Sequence, residues 1–259
     1  MRKNGDFFWR SASMTDVGAR RELNEDSILE RKDMGLWVVA DGMGGHQCGD
    51  EASQLVVSML AALTLHGTLE DREKQVINTL KGVHGELQRL ADEKKAGIIG
   101  TTAAVLVLHQ QKASCIWVGD SRIYLSRYGD LRQLSTDHTQ VNELVRLGLL
   151  NAEDAKLHPA GHVLTRAIGG NGILEPEIVR FPVQIDDIFL ICSDGLTAML
   201  DESEIATELG RWPAAIACTN LMNTALARYA KDNVSVIVIS VDDVDEMDMT
   251  MINPVLKRI

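Results

Sequence analysis

Leu36-Trp37-Val38-Val39-Ala40-Asp41-Gly42-Met43-Gly44-Gly45-His46 holds the pattern on which the whole chain is built. Five apolar residues run into an aspartate, and a glycine follows it. An unbroken apolar run of this length reads as a strand buried on both faces. The figure returns twice. Cys115-Ile116-Trp117-Val118 ends in Gly119-Asp120, and Ile188-Phe189-Leu190-Ile191-Cys192-Ser193 ends in Asp194-Gly195. In mirror order, Asp232 comes just before Val234-Ser235-Val236-Ile237-Val238-Ile239. Strands that repeatedly open or close on a carboxylate predict one acidic cluster at one end of a β-structure. Clustered carboxylates repel each other and stay charged only beside cations. Without a His or Cys cage they select hard cations such as Mg²⁺ or Mn²⁺. The pattern therefore predicts a metal site and metal-assisted chemistry on an anionic substrate.

Outward from these runs, residues 7–13 and 27–40 read as strands. Residues 47–65 carry apolar residues at helical spacing (Leu55, Met59, Leu60, Leu63). Residues 70–95 form a second helix with a stripe of Val76, Ile77, Leu80, Val83, Leu87 and Leu90. Strands follow at 101–108, 112–118 and 122–127, with a hairpin turn at Tyr128-Gly129-Asp130 leading into 131–134. Residues 139–176 break the rhythm: a short helix at 140–147 is followed by a stretch rich in Gly and Pro, an excursion that reads as a lid or flap. Strands return at 177–183 and 187–193, helices at 201–210 and 213–230, and a last strand at 233–241. Paired strands with segregated helices argue an α+β fold, not an alternating parallel sheet. One domain is expected over 1–241, with an acidic, loosely held tail at 242–259.

The chain has 259 residues, 45% of them hydrophobic, and a formal net charge of −11. That charge disfavours nonspecific nucleic-acid binding and an anionic membrane surface. No run of 18 apolar residues spans a bilayer. The basic start of the chain lacks the apolar stretch of a signal peptide. A cytoplasmic protein is the expectation. Cys48, Cys115, Cys192 and Cys218 are far apart with no CxxC pair, and read as reduced, structural thiols.

Several chemistries fail on spacing. In Gly42-Met43-Gly44-Gly45-His46-Gln47 the third glycine of a dinucleotide loop is missing, and no P-loop occurs. No zinc HExxH motif, EF-hand or G-x-S-x-G elbow is present. Arg21-Glu22-Leu23-Asn24-Glu25-Asp26 precedes a strand. Its Arg21 offers a planar fork that matches two phosphate oxygens. Of the seven histidines, only His46 and His138 lie beside candidate site segments, and most of the others are expected at the surface.

Taken in order, Thr15-Asp16-Val17-Gly18, the segment from Arg21 to Asp26, that from Asp41 to His46, Gly100-Thr101-Thr102, Gly119-Asp120-Ser121-Arg122, Ser193-Asp194-Gly195 and Asp232-Asn233 resemble the type 2C metal-dependent protein phosphatases. Asp137-His138, His158-Pro159 and Leu164-Thr165-Arg166-Ala167-Ile168-Gly169 resemble the flap of bacterial members. The resemblance covers about residues 8–241. It implies a four-layer α-β-β-α sandwich, two packed antiparallel sheets flanked by helices, with metals at one end. It implies that Asp41 bridges two Mn²⁺ or Mg²⁺ ions, with the Gly42 carbonyl on the second. Asp194 and Asp232 would complete the first. Glu25 and Asp26 would hold the second through waters, Asp120 a third, weaker ion together with Asp194, and Arg21 the phosphate. Two such ions acidify a shared water for in-line attack on phosphorus. The implied substrate is a phosphoserine or phosphothreonine protein, and the implied partner the serine/threonine kinase that the enzyme opposes. Met43 stands where eukaryotic members carry a histidine, and the acid role is not transferred to His46. Two rival readings share the acidic cluster or the fold: a two-metal phosphoesterase for small molecules, and an inactive binding regulator.

Overall fold

The computed structural model describes residues 7–44, 48–155, 158–161 and 163–243. The described elements are β1 (Phe7–Asp16), β2 (Asp26–Arg31), β3 (Leu36–Met43), α1 (Gly49–Ala61), α2 (Leu69–Lys94), β4 (Gly100–Thr101), β5 (Ala103–His109), β6 (Lys112–Val118), β7 (Arg122–Arg127), β8 (Asp130–Gln133), α3 (Gln140–Arg146), α4 (Ala152–Ala155), β9 (Glu177–Pro182), β10 (Ile188–Cys192), α5 (Asp194–Thr197), α6 (Glu202–Arg211), α7 (Ala214–Ala227) and β11 (Val234–Asp243). All strand pairings are antiparallel. One sheet runs β1-β11-β10-β7-β8 and the other β2-β3-β5-β6-β9, with β4 beside β3.

Alternation along the strands builds the layers, because successive side chains point to opposite faces. On β3, Leu36, Val38 and Ala40 pack against Val56 and Leu60 of α1 and Leu80 and Leu87 of α2. Trp37 and Val39, the residues between, join Phe189, Ile191, Ile237 and Ile239 in the layer between the sheets. On β10 and β11, Leu190, Cys192, Val236 and Val238 face outward onto α6 and α7. The order is helices, sheet, sheet, helices. Central strands are thus buried on both faces, which is why they read as continuous apolar runs.

Differences from the sequence reading have local causes. The run 27–40 is two strands, since Lys32–Met34 form a 3-10 turn closed by Gly35 at φ 62°. The buried face of α1 is Ala52, Val56 and Leu60, while Met59 is exposed. Small Ala52 and Ser53 let this helix lie close to the sheet. β11 continues to Asp243, where it pairs with Phe7. The excursion is pinned back on the core by the bridge Thr101↔Ile168 and closed on itself by Thr139↔Leu164. The four cysteines are buried and form no disulfide with one another. His46 and the tail from 244 lie outside the described residues.

Candidate active site

The ladder places the site. Asp26, which opens β2, stands opposite Asp41 near the end of β3. β10 ends at Cys192 opposite Val236 and Arg122, so Ser193-Asp194, the β6–β7 turn with Asp120, and Asp232 before β11 all arrive at one end of the sandwich. Arg21, Glu25, Asp41, Gly42, Asp120, Asp194 and Asp232 line a single cleft of about 500 Å³. Of the eight site residues expected from the sequence, Asp26 alone is off the wall. It lies buried behind the cleft, its Oδ2 accepting from Ser193 Oγ at 2.7 Å. Its Oδ1 is buried with no hydrogen-bond partner among the described residues.

Burial raises the Asp41 carboxyl well above the usual aspartate range, and the neighbouring carboxylates Asp26, Asp194, Asp120 and Asp232 push it further in the same direction. Burial likewise lifts Asp26, to about 7; hydrogen bonds from Ser193 and Ser235 oppose the lift, and Asp194 and Asp232 add to it. Desolvation also raises Glu25, against the pull of Arg21. Such a group is held charged by a positive partner. Among the described residues, Arg21 is the only Lys or Arg lining the cleft. Its fork is given to Asp232, Nε to Oδ1 at 2.9 Å and NH2 to Oδ2 at 2.8 Å.

The backbone carrying these groups is held firmly. Thr102 N–H donates to the Asp41 carbonyl at 2.8 Å, Asp41 N–H to Thr102 Oγ1 at 3.0 Å, and Thr101 Oγ1 to the same carbonyl at 2.9 Å. Close approach requires glycine at two points. A Cβ on Gly42 would stand 2.0 Å from the Gly49 carbonyl oxygen, and one on Gly195 2.0 Å from that of Asn233. The Glu25 side chain accepts from the Gly49 N–H at the start of α1, where a helix favours negative charge.

The floor of the cleft carries oxygen donors, carboxylates and backbone carbonyls, with neither His nor Cys lining it among the described residues. That donor set suits a hard divalent cation. The orphaned Asp26 Oδ1 and the crowded charge behind Asp41 fit the same group. Among the described residues no three His, Cys, Asp or Glu side chains are already drawn into ligating geometry. Asp232 is turned to Arg21.

Sequence reasoning passed over three supports. Asn233 was noted beside Asp232 without a role. Its Oδ1 accepts from Glu25 N–H at 2.9 Å, and its Nδ2 donates to the Val17 and Leu23 carbonyls, both at 2.9 Å. It therefore clamps the loop that carries Arg21 and Glu25. An Asn opening a buried strand is itself a signal, because its amide must find partners. His84, expected at the surface, is only 7% exposed. Its Nδ1 accepts from Gly169 N–H at 3.0 Å and its Nε2 lies 3.0 Å from the Gly172 carbonyl. The apolar rim of the cleft, Met43, Ile98 and Leu164, was also missed, because its residues come from three distant segments.

The protein phosphatase 2C profile matches residues 18–231. The serine/threonine phosphatase stp of Listeria monocytogenes is 36% identical over 88% of this chain and 94% of its own. Among solved structures, "PppA, a key regulatory component of T6SS in Pseudomonas aeruginosa" superposes with a TM-score of 0.85 at 35% identity, covering 92% of this chain and all of that one. The catalytic domain of the serine threonine protein phosphatase PstP in complex with 2 manganese ions superposes at 0.79 with 31% identity, over 92% of this chain and 100% of that one. Sequence, four-layer fold and carboxylate-lined cleft agree: the chain belongs to the protein phosphatase 2C family and is a metal-dependent protein serine/threonine phosphatase.

Proposed function

We propose that the carboxylate-lined cleft is the catalytic centre, with Asp41, Asp194, Asp232 and the Gly42 carbonyl holding two Mn²⁺ or Mg²⁺ ions. Asp120, beside Asp194, would serve a third, weaker ion. The observation that carries this reading is the convergence of five carboxylates from five separate segments, Glu25, Asp41, Asp120, Asp194 and Asp232, on the floor of one cleft. When bound, such ions supply Lewis acidity and a water made nucleophilic near neutral pH. Asp41, fixed by three hydrogen bonds to its backbone, sets the floor of the site. Glu25 on the wall and Asp26 behind it would orient water. The fork that Arg21 gives to Asp232 fits two phosphate oxygens equally well. Water attacks phosphorus in line, and the seryl or threonyl oxygen departs with a proton to give alcohol and phosphate.

The substrate is a phosphoprotein, and the same proposal names a serine/threonine kinase as the activity it opposes. A cytoplasmic setting is part of the proposal, supported by four buried cysteines that are not joined in disulfides. Among the described residues no helix is long and apolar enough to cross a membrane. The test is turnover of a phosphothreonine peptide with EDTA, then with Mn²⁺ or Mg²⁺ restored. Loss and recovery are expected in wild type, and no recovery in Asp41→Asn, Asp194→Asn or Asp232→Asn. Recovery in any of these variants at limiting metal removes that residue from the site. A higher kcat/KM for small phosphate esters than for the peptide would favour the small-molecule reading.

A further inference from the structure

The catalytic cleft does not end at its polar floor. Its rim of Met43, Ile98 and Leu164 is also the near wall of a second cleft of about 420 Å³. The far side of that cleft is formed by residues 165–167, 170–171 and 173–175, including the exposed Ile173. The rim is an exit from the catalytic cleft for the main chain of a peptide whose phosphorylated side chain reaches the aspartates. Extended chain advances ~3.3 Å per residue. On that course the residues next to the phosphorylated one would cross the rim, and one of them would drop into the second cleft.

Two properties of the second cleft bear on what it accepts. Ile98 is 43% exposed and Ile173 87% exposed, so its two lips are apolar surface without cover in a protein of net charge −11. The far wall is also held in place. His84 and Gln88, both on α2, bind the loop behind it, with Gln88 Nε2 donating to the Gly170 carbonyl at 2.7 Å. A fixed, partly apolar recess beside a catalytic cleft is the arrangement that reads a side chain.

We propose that this second cleft is a specificity subsite that takes an aliphatic side chain of the phosphoprotein within two residues of the phosphorylated Ser or Thr. Exposed Thr165 and Asn171 on its wall offer hydrogen-bond partners to the passing main chain. An acidic side chain in that place is disfavoured: Arg166 on the same wall already gives NH1 to Glu177 Oε1 at 3.0 Å, Glu175 lines the recess, and the aspartates lie just beyond the rim. The subsite rests on the reading that phosphate is held at Arg21 and Asp41.

The experiment measures kcat/KM on phosphothreonine peptides that place Leu, Ala or Asp at each of two positions on either side of the phosphorylated residue. p-Nitrophenyl phosphate, which has no flanking chain, is the reference substrate. At one position, Leu is expected to exceed Asp by about 10-fold or more. Ile173→Ser should erase that preference, Ile173→Leu should retain it, and both should leave turnover of p-nitrophenyl phosphate within about twofold of wild type. A flat peptide profile, or an Ile173→Ser variant with the preference intact, overturns the subsite while the phosphate site stands. Full p-nitrophenyl phosphate activity in Asp41→Asn would overturn the phosphate site and the subsite together.

Discussion

Strand β10 carries a carboxylate at each end, and the two are treated in opposite ways. Asp187, just before the strand, is fully buried and clasped by Arg127, with Nε to Oδ1 and NH2 to Oδ2 both at 2.7 Å. The Gln184 N–H adds a third bond at 2.8 Å. Asp137 and Glu73 receive the same treatment from Arg122 and Arg180. At the other end, Ser193-Asp194 opens into a cleft shared with Asp41, Asp120 and Asp232, where Arg21 is the only lining Lys or Arg among the described residues. Acids that hold the fold are each clasped by a guanidinium of their own, whereas the carboxylates of the cleft share a single lining guanidinium, that of Arg21, which is given to Asp232.

Removing one acid from each end tests that contrast. Asp41→Asn should lower kcat by at least ~10³-fold, about 4 kcal/mol, because it strips the floor of the catalytic cleft. The same change relieves repulsion among buried carboxylates, so the melting temperature in EDTA should hold or rise. Asp187→Asn should do the reverse. It leaves Arg127 partly buried without its partner, a loss of about 3 kcal/mol in a urea titration, with kcat of the folded enzyme unchanged. If both variants lose stability alike, or both lose turnover alike, the division between the two ends of β10 fails.

The pH dependence separates the ends without mutation. In EDTA, Asp26 is held at about 7 and Asp41 is also raised, so the folded state binds protons that the unfolded chain releases near 4. That contribution is full below pH ~4 and is lost as pH climbs towards ~7. Stability without metal should therefore fall across this window, by a few kcal/mol at most. With Mn²⁺ at 100 times its Kd the protein gains about 2.7 kcal/mol near neutral pH, and the slope should flatten. Thermal melts at pH 5, 6 and 7, with and without Mn²⁺, check both signs.

The layers and the convergence of the acids were legible because three core strands, β3, β6 and β10, run into a carboxylate and a fourth, β11, follows one. Asp41, Asp120, Asp194 and Asp232 could be read in this way one strand at a time. What escaped depends on pairs of distant segments. Whether Asp26 lines the cleft or lies behind it depends on Ser193, 167 residues away. His84 looks like any helix-surface histidine until the 169–172 loop closes over it. Of the expected α1 stripe, Leu60 is buried and Leu55 and Leu63 pack against the core, but Met59 is exposed, because periodicity does not say how far round the helix the contact turns, and here it turns towards Ala52, Ser53 and Val56.

The smallest expected effect belongs to a residue that touches neither phosphate nor metal in any reading. Asn233 sits between Asp232 and β11 and uses its whole amide on the 17–25 loop, accepting from Glu25 and donating to Val17 and Leu23. Asn233→Asp keeps the shape and one acceptor but loses both donors, so two carbonyls lose a partner and the loop carrying Arg21 loosens. If Asn233 is a positioning residue, kcat/KM should drop about 10- to 100-fold, with KM for the phosphopeptide rising more than kcat falls. The melting temperature in EDTA should move by only a few degrees. Asn233→Ala, which adds no charge to the acidic end, should give the same KM-weighted loss. A loss carried entirely by kcat would instead place Asn233 with the metal-side acids and shift the boundary between the two groups of carboxylates by one residue.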